Sequence, residues 1–112
     1  MPEKRSHPRK SCDTRIDILD AESKKLIGTL VNLSVSGFMM ISEQSLPENY
    51  VFQFDVVFAP GATDSITLQI GAESLWIQEV EGSNQRWIGF HIIDISEQDR
   101  ATINRLISNW RD

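Results

Sequence analysis

The chain has 112 residues, 40% hydrophobic and 24% charged, with one cysteine and a formal net charge of −5. That is apolar material for one modest core rather than two, and a single cysteine excludes an internal disulfide and a cysteine-based zinc site. No apolar run approaches the roughly 18 residues that span a bilayer, and no apolar stretch follows the basic N-terminus as in a secretory signal, so a cytoplasmic protein without membrane insertion is expected.

The charge is unevenly spread. Residues 1–15 carry five basic and two acidic residues, a net +3, whereas the remainder carries six basic and fourteen acidic residues, a net −8. A basic arm on an acidic body is the simplest reading. The body would repel nucleic acid, whose binding is dominated by phosphate charge, so no nucleic-acid partner is expected; the arm alone suits a small anion.

Residues 1–12, "MPEKRSHPRKSC", have no apolar periodicity and are expected to form a flexible basic N-terminal arm. From residue 13 the pattern has period two. Ile16 and Ile18 alternate with charges, a turn is expected near Glu22, Ser23 and Lys24, and "KLIGTLV" reads as the next strand. "NLSVSG", Asn32 to Gly37, then interrupts a good strand with small polar groups before "FMMIS" resumes it. By itself this is a turn, because Asn, Ser and Gly are turn residues. A loop around Pro47 leads to "VFQFDVVF", in which Phe52, Phe54, Val56 and Phe58 share a face opposite Gln53 and Asp55. Pro60-Gly61 marks the next turn. Ile66, Leu68, Ile70 and Ala72 begin an alternating run that continues through "LWIQEV", "EGSNQ" reads as a hairpin turn, and "RWIGFHIID" completes the strands.

The last segment changes period. Ser96 with Asp99 resembles a helix N-cap, and Ile103, Leu106, Ile107 and Trp110 recur at helical spacing, predicting a helix over about 96–110. Residues 13–112 are therefore read as an all-β domain, a barrel or sandwich, with one terminal helix packed on it. Trp76, Trp87 and Trp110 are assigned to the core or to helix docking, one of them being an alternative base-stacking residue with no choice between the three. His91, out of phase with Phe90, is expected on the surface. His7, His91 and the acidic residues show no metal-ligand spacing, so no metal site is expected. Ser34, His91 and Asp94 could be assembled into a triad on paper, but no local pattern supports one, and no catalytic residue is assigned.

Two short motifs occur in a telling order. "RSHPR" fits RxxxR with Arg5 and Arg9, and "NLSVSG" fits [D/N]xSxxG with Asn32, Ser34 and Gly37. A hairpin separates them, and a tryptophan-containing strand, a "GF" strand and a terminal helix follow. This resembles the PilZ domain, a bacterial receptor for the second messenger cyclic di-GMP in motility and biofilm control. The resemblance covers nearly the whole chain and implies a six-stranded antiparallel β-barrel plus a C-terminal α-helix. It implies that Arg5 and Arg9 grip guanines and phosphates, that Asn32 and Ser34 meet a guanine edge or phosphate, and that Gly37 lets the backbone turn close to the ligand. Lys4, Lys10 and Ser36 are additional candidates. The residue before the first arginine varies in the family with ligand stoichiometry; here it is Lys4, and one molecule or an intercalated pair both remain open.

Arginine suits such a ligand, since its planar fork pairs with guanine O6 and N7 and its face stacks on the ring. Pro8 restricts His7 to extended conformations, which lowers the ordering cost of the arm. The resulting expectation is a stand-alone, monomeric, non-enzymatic receptor of cyclic di-GMP, with no other cofactor. It would signal to an unidentified protein partner as ligand orders its arm. The alternative is a nucleotide-independent adaptor for pilus or motility machinery, though adaptors of that kind typically lack the arginine motif.

Overall fold

The computed structural model describes residues 15–108 and the backbone of Lys10 and Ser11. Seven strands and one helix follow in chain order: β1 (Lys10–Ser11), β2 (Ile16–Asp20), β3 (Leu26–Leu33), β4 (Gly37–Ser42), β5 (Val51–Phe58), β6 (Ile66–Glu79), β7 (Arg86–Ile95) and α1 (Glu97–Ile107). All pairings are antiparallel. Strands β3, β2, β5, β6, β7 and β4 pair in that order, and β4 pairs back onto β3, so six strands close into a barrel. The short β1 is additional: it takes the edge of β3 at Leu33 and Asn32, beyond the stretch Leu26 to Thr29 that β2 occupies. Lys10 and Ser11 lie within the segment assigned to the arm; the rest of that segment is outside the described residues.

Alternation fills the interior. Ile16, Ile18, Leu30, Leu33, Phe38, Met40, Phe54, Val56, Leu68, Ile70, Ile88 and Phe90 are buried in one cluster, as period-two strands with one inward face require. Phe90 is its centre. Its ring stacks on Phe38 from the neighbouring strand at 4.9 Å and 16°, and meets the edge of Phe54 across the barrel at 5.3 Å and 85°. Phe52 adds a third edge contact at 6.2 Å. Such ring pairs contribute about 0.5–1.5 kcal/mol beyond their area.

The β2–β3 turn is held by the Asp20 carboxylate, which accepts the Ser23 and Glu22 amides at 2.7 and 3.1 Å. The Ser23 bond is the main reason the Asp20 carboxyl titrates below its ordinary value. Lys24, in the left-handed region at φ 63°, sends its ammonium back to Asp55 at 2.6 Å. Asp55 is on the outward side of β5, as its phase predicts, yet it is buried, because that lysine covers it.

Helix α1 begins where Ser96 caps it, accepting the Asp99 amide at 3.0 Å. It is fixed to the barrel by Ile103, which enters the core, and by the Asp99 carboxylate, which accepts the Gln69 amide at 3.2 Å. The helix lies within the expected span of 96–110; Trp110 is outside the described residues. Among the described residues no helix is long and apolar enough to cross a membrane.

Removing the central ring should be costly. Phe90→Ala is expected to lose about 3–5 kcal/mol of folding free energy by urea titration, a large share of what a domain of this size has. The exposed substitution Thr67→Ala serves as control and should stay within about 0.5 kcal/mol.

Candidate functional site

Asn32 owes its position to one extra residue in β3. Leu30 pairs with Met40 and Asn32 with Met39, so Val31 is bulged and has no partner. Leu30 and Leu33 are both buried although three residues apart. A bulge explains this, because one inserted residue turns every following side chain to the other face. Without it Asn32 would enter the core; with it Asn32 faces outward beside Met39, in register with Ser11 of β1. The Asn32 Oδ1 is buried and accepts no hydrogen bond among the described residues, a state that costs about 1–3 kcal/mol and leaves an acceptor for a further donor.

A second bulge acts in the same way on β6. Ile70, Ala72 and Ser74 point inward, and continued alternation would bring Trp76 in after them. Instead Leu75 is the extra residue and Trp76 pairs with Gly89 from outside. Trp76, expected from its sequence in the core or at the helix docking site with base stacking as the alternative, is therefore on the outer surface and 37% exposed. Its indole lies flat over Gly89, where any side chain would collide with the ring. Trp87 is half-buried two pairs further along, in register with Ile41 and Gln78.

These two bulges create a row on one outer face. Asn32, Met39, Gly89 and Trp76 are successive partners across β3, β4, β7 and β6. At about 4.8 Å between strands the row is roughly 14 Å long, with a hydrogen-bonding amide at one end and an aromatic plane at the other.

The loop Ser34–Gly37 closes the β3–β4 hairpin at the same end of the barrel. Ser34 is 2% exposed, and its hydroxyl is fully used. It accepts the Ser36 amide at 3.3 Å and the Gly37 amide at 3.2 Å, lies 3.3 Å from the Gly37 carbonyl to which it donates, and touches the Ser36 hydroxyl at 3.2 Å. One O–H and two lone pairs allow no more. Three of the loop carbonyls are bonded, one within the loop, one to β7 and one to α1. The Gly37 carbonyl accepts the Ser34 amide at 2.8 Å, and the Ser36 carbonyl accepts the Ile92 amide of β7 at 2.9 Å. The Val35 carbonyl accepts the Arg100 guanidinium of α1 at 3.4 Å. Gly37 has a steric role as well: a Cβ there would strike the Phe90 carbonyl oxygen, so only glycine lets β4 approach β7.

Among the candidates named from sequence, the structure brings Asn32, Ser34, Ser36 and Gly37 into one loop and strand end. Arg5, Arg9, Lys4 and the side chain of Lys10 lie outside the described residues. His91 is exposed as its phase predicts, opposite Gly37 and Glu73. The Ser34 hydroxyl is sealed in its own loop, with neither His91 nor Asp94 among its partners. No cluster of three metal-binding side chains occurs among the described residues. The sequence offered Trp76 as one of three tryptophans without choosing between them, and did not single out Arg100. Trp76 had a signal in the adjacent apolar pair Leu75-Trp76, which breaks the alternation. Arg100 had none, since it acts on a carbonyl 65 residues away.

A family model described as "PilZ domain" matches residues 3–109. The fold is shared with the PilZ domain with c-di-GMP of YcgR from Escherichia coli (TM-score 0.66, 16% identity), over 96% of this chain and 92% of that one. It is also shared with the Escherichia coli YcgR complex with c-di-GMP (TM-score 0.67, 17% identity), over 95% of this chain and 45% of that one. The Bacillus subtilis inhibitor of motility MotI/DgrA is similar too (TM-score 0.65, 16% identity), over 98% and 55%. The chain thus spans about half the length of the last two. Comparison of the sequence with curated proteins finds no match.

Because the motif loop is part of the scaffold, its residues should matter without ligand. Ser34→Ala leaves two amides without their acceptor and is expected to cost roughly 1–3 kcal/mol in the free protein. Gly37→Ala forces β4 off β7 and should cost about as much or more. Both should appear as lower melting temperatures in the absence of any nucleotide; melting like the parent would show that the loop is not braced in this way.

Proposed function

Because the chain belongs to the PilZ domain family, we propose that it is a receptor for cyclic di-GMP that binds on the outer row between Asn32 and Trp76 and is covered by its own N-terminal segment. The observation that carries this reading is the Asn32 Oδ1, an acceptor buried without a donor at the place where β1 meets the barrel. An acceptor there suits the N1–H and N2–H donors of a guanine edge. Trp76 supports it as a stacking plane, a role for which the half-buried Trp87 is less open. Arg9 directly precedes Lys10, and Arg5 lies five residues before it, within about 17 Å of extended chain. Both guanidinium groups are therefore within reach of a ligand seated on that row. The acidic remainder of the chain, at −8, makes those cations the natural source of attraction for two phosphates.

The signalling step follows from the same arrangement. Residues 1–9 carry three basic side chains, setting His7 aside, and ligand that engages both arginines neutralises and orders them. A protein partner would then meet two different surfaces. The complexes of YcgR with c-di-GMP and the motility inhibitor MotI support a ligand of this class and a protein target.

Calorimetric titration should show cyclic di-GMP binding, with linear GMP and cyclic AMP far weaker. Arg5→Ala and Arg9→Ala should each weaken it by about 1–3 kcal/mol while leaving the melting temperature unchanged. An absence of heat at saturating nucleotide would overturn the receptor reading and favour a nucleotide-independent adaptor.

Backbone amide relaxation of residues 3–12 tests the ordering step. Low order parameters without ligand and high ones with it are expected. Values that stay low at saturation would place the signal elsewhere.

A further inference from the structure

An arginine in the first turn of a helix is badly placed, because positive charge there opposes the helix dipole. Arg100 is such a residue, beside the favourable Glu97 and Asp99. Its guanidinium has one partner among the described residues, the Val35 carbonyl inside the Ser34–Gly37 loop. The Gly37 and Ser36 carbonyls are bonded to the loop's own Ser34 and to β7, so among the described residues this is the hydrogen bond that joins the loop to α1. Val35, Leu106 and Ile107 each pack against the core into which Ile103 is inserted.

We infer that Arg100 is a positioning residue that couples the motif loop to α1, so that capture of ligand beside Asn32 and the docking of the C-terminal helix influence each other. This deepens the proposed function and rests on it for the ligand, but the coupling itself is a property of the free protein. Coupling is reciprocal: whatever tightens the loop must tighten the helix by the same factor. A bond of this kind sets its scale, at roughly two- to tenfold in an equilibrium. The output of the domain is then carried by a helix some way from the ligand as well as by the arm.

Hydrogen exchange separates the two ideas. In the free protein, Arg100→Ala should speed exchange of the Ile92 and Ser34 amides by roughly two- to tenfold, and Ser34→Ala should speed exchange of the α1 amides comparably. Arg100→Lys, which keeps a donor, should restore part of the protection. Alanine is at least as good a helix former as arginine, so a weaker helix cannot account for the first effect. If each substitution disturbs only its own element, the coupling is overturned, whether or not nucleotide binds. With cyclic di-GMP added, the parent should gain protection in α1 and the Arg100→Ala variant should not; an equal gain in both would also overturn it. Failure of the parent to bind cyclic di-GMP defeats the proposed function, while the free-protein comparison still decides the coupling.

Discussion

In a closed barrel every strand turns alternate side chains to the core, and the outer surface receives the rest. With Phe38, Phe54 and Phe90 packed ring to ring inside, no polar side chain can be accommodated there without a partner. A residue is therefore available to a ligand only if its phase places it outside, and phase changes only at a bulge. The bulges at Val31 and Leu75 make that change on two strands, β3 and β6, which are separated by β4 and β7. They turn Asn32 and Trp76 outward onto the same row, while Leu33 and Ser74 on either side stay buried. The outer site is thus a consequence of how the core is closed.

The motif Asn32-x-Ser34-x-x-Gly37 divides accordingly. Asn32 is the only one of the three whose polar group is unsatisfied. Ser34 spends its hydroxyl on the loop, and Gly37 yields its Cβ to the backbone of β7. The motif here consists mostly of residues that build the loop. The physical reason is that a loop held against a ligand must be rigid before the ligand arrives; otherwise its ordering cost is charged to the affinity. Carbonyls bonded within the loop, to β7 and to α1 supply that rigidity.

Electrostatics assigns the remaining work to the chain's start. A dianionic ligand approaching a surface of net −8 is repelled at long range, and only the basic N-terminal segment offsets it. Under the proposed function the barrel would supply shape, an amide and an aromatic plane, and the basic N-terminal residues the charge. Attraction of this kind weakens as salt screens it, over about 8–10 Å at physiological ionic strength.

Most of the fold was legible along the chain, because period-two alternation and a helical repeat are local patterns that core burial imposes directly. The turn at Glu22 to Lys24, the inward phenylalanines of β5 and the Ser96 cap all appear where the residues place them. Local order also marked "NLSVSG" as an interruption with polar purpose, and the two motifs together pointed to a family. What local order does not contain is register. The bulges at Val31 and Leu75 exist only relative to the partner strands, so the outward position of Trp76, the unpartnered amide of Asn32 and the collision that reserves position 37 for glycine are decided when the strands pair. The Arg100–Val35 bond is more remote still, since nothing in a helix's first turn announces which carbonyl 65 residues earlier will lie beneath it. Sequence determined which residues could face the core; closure of the barrel decided which of the others face one another.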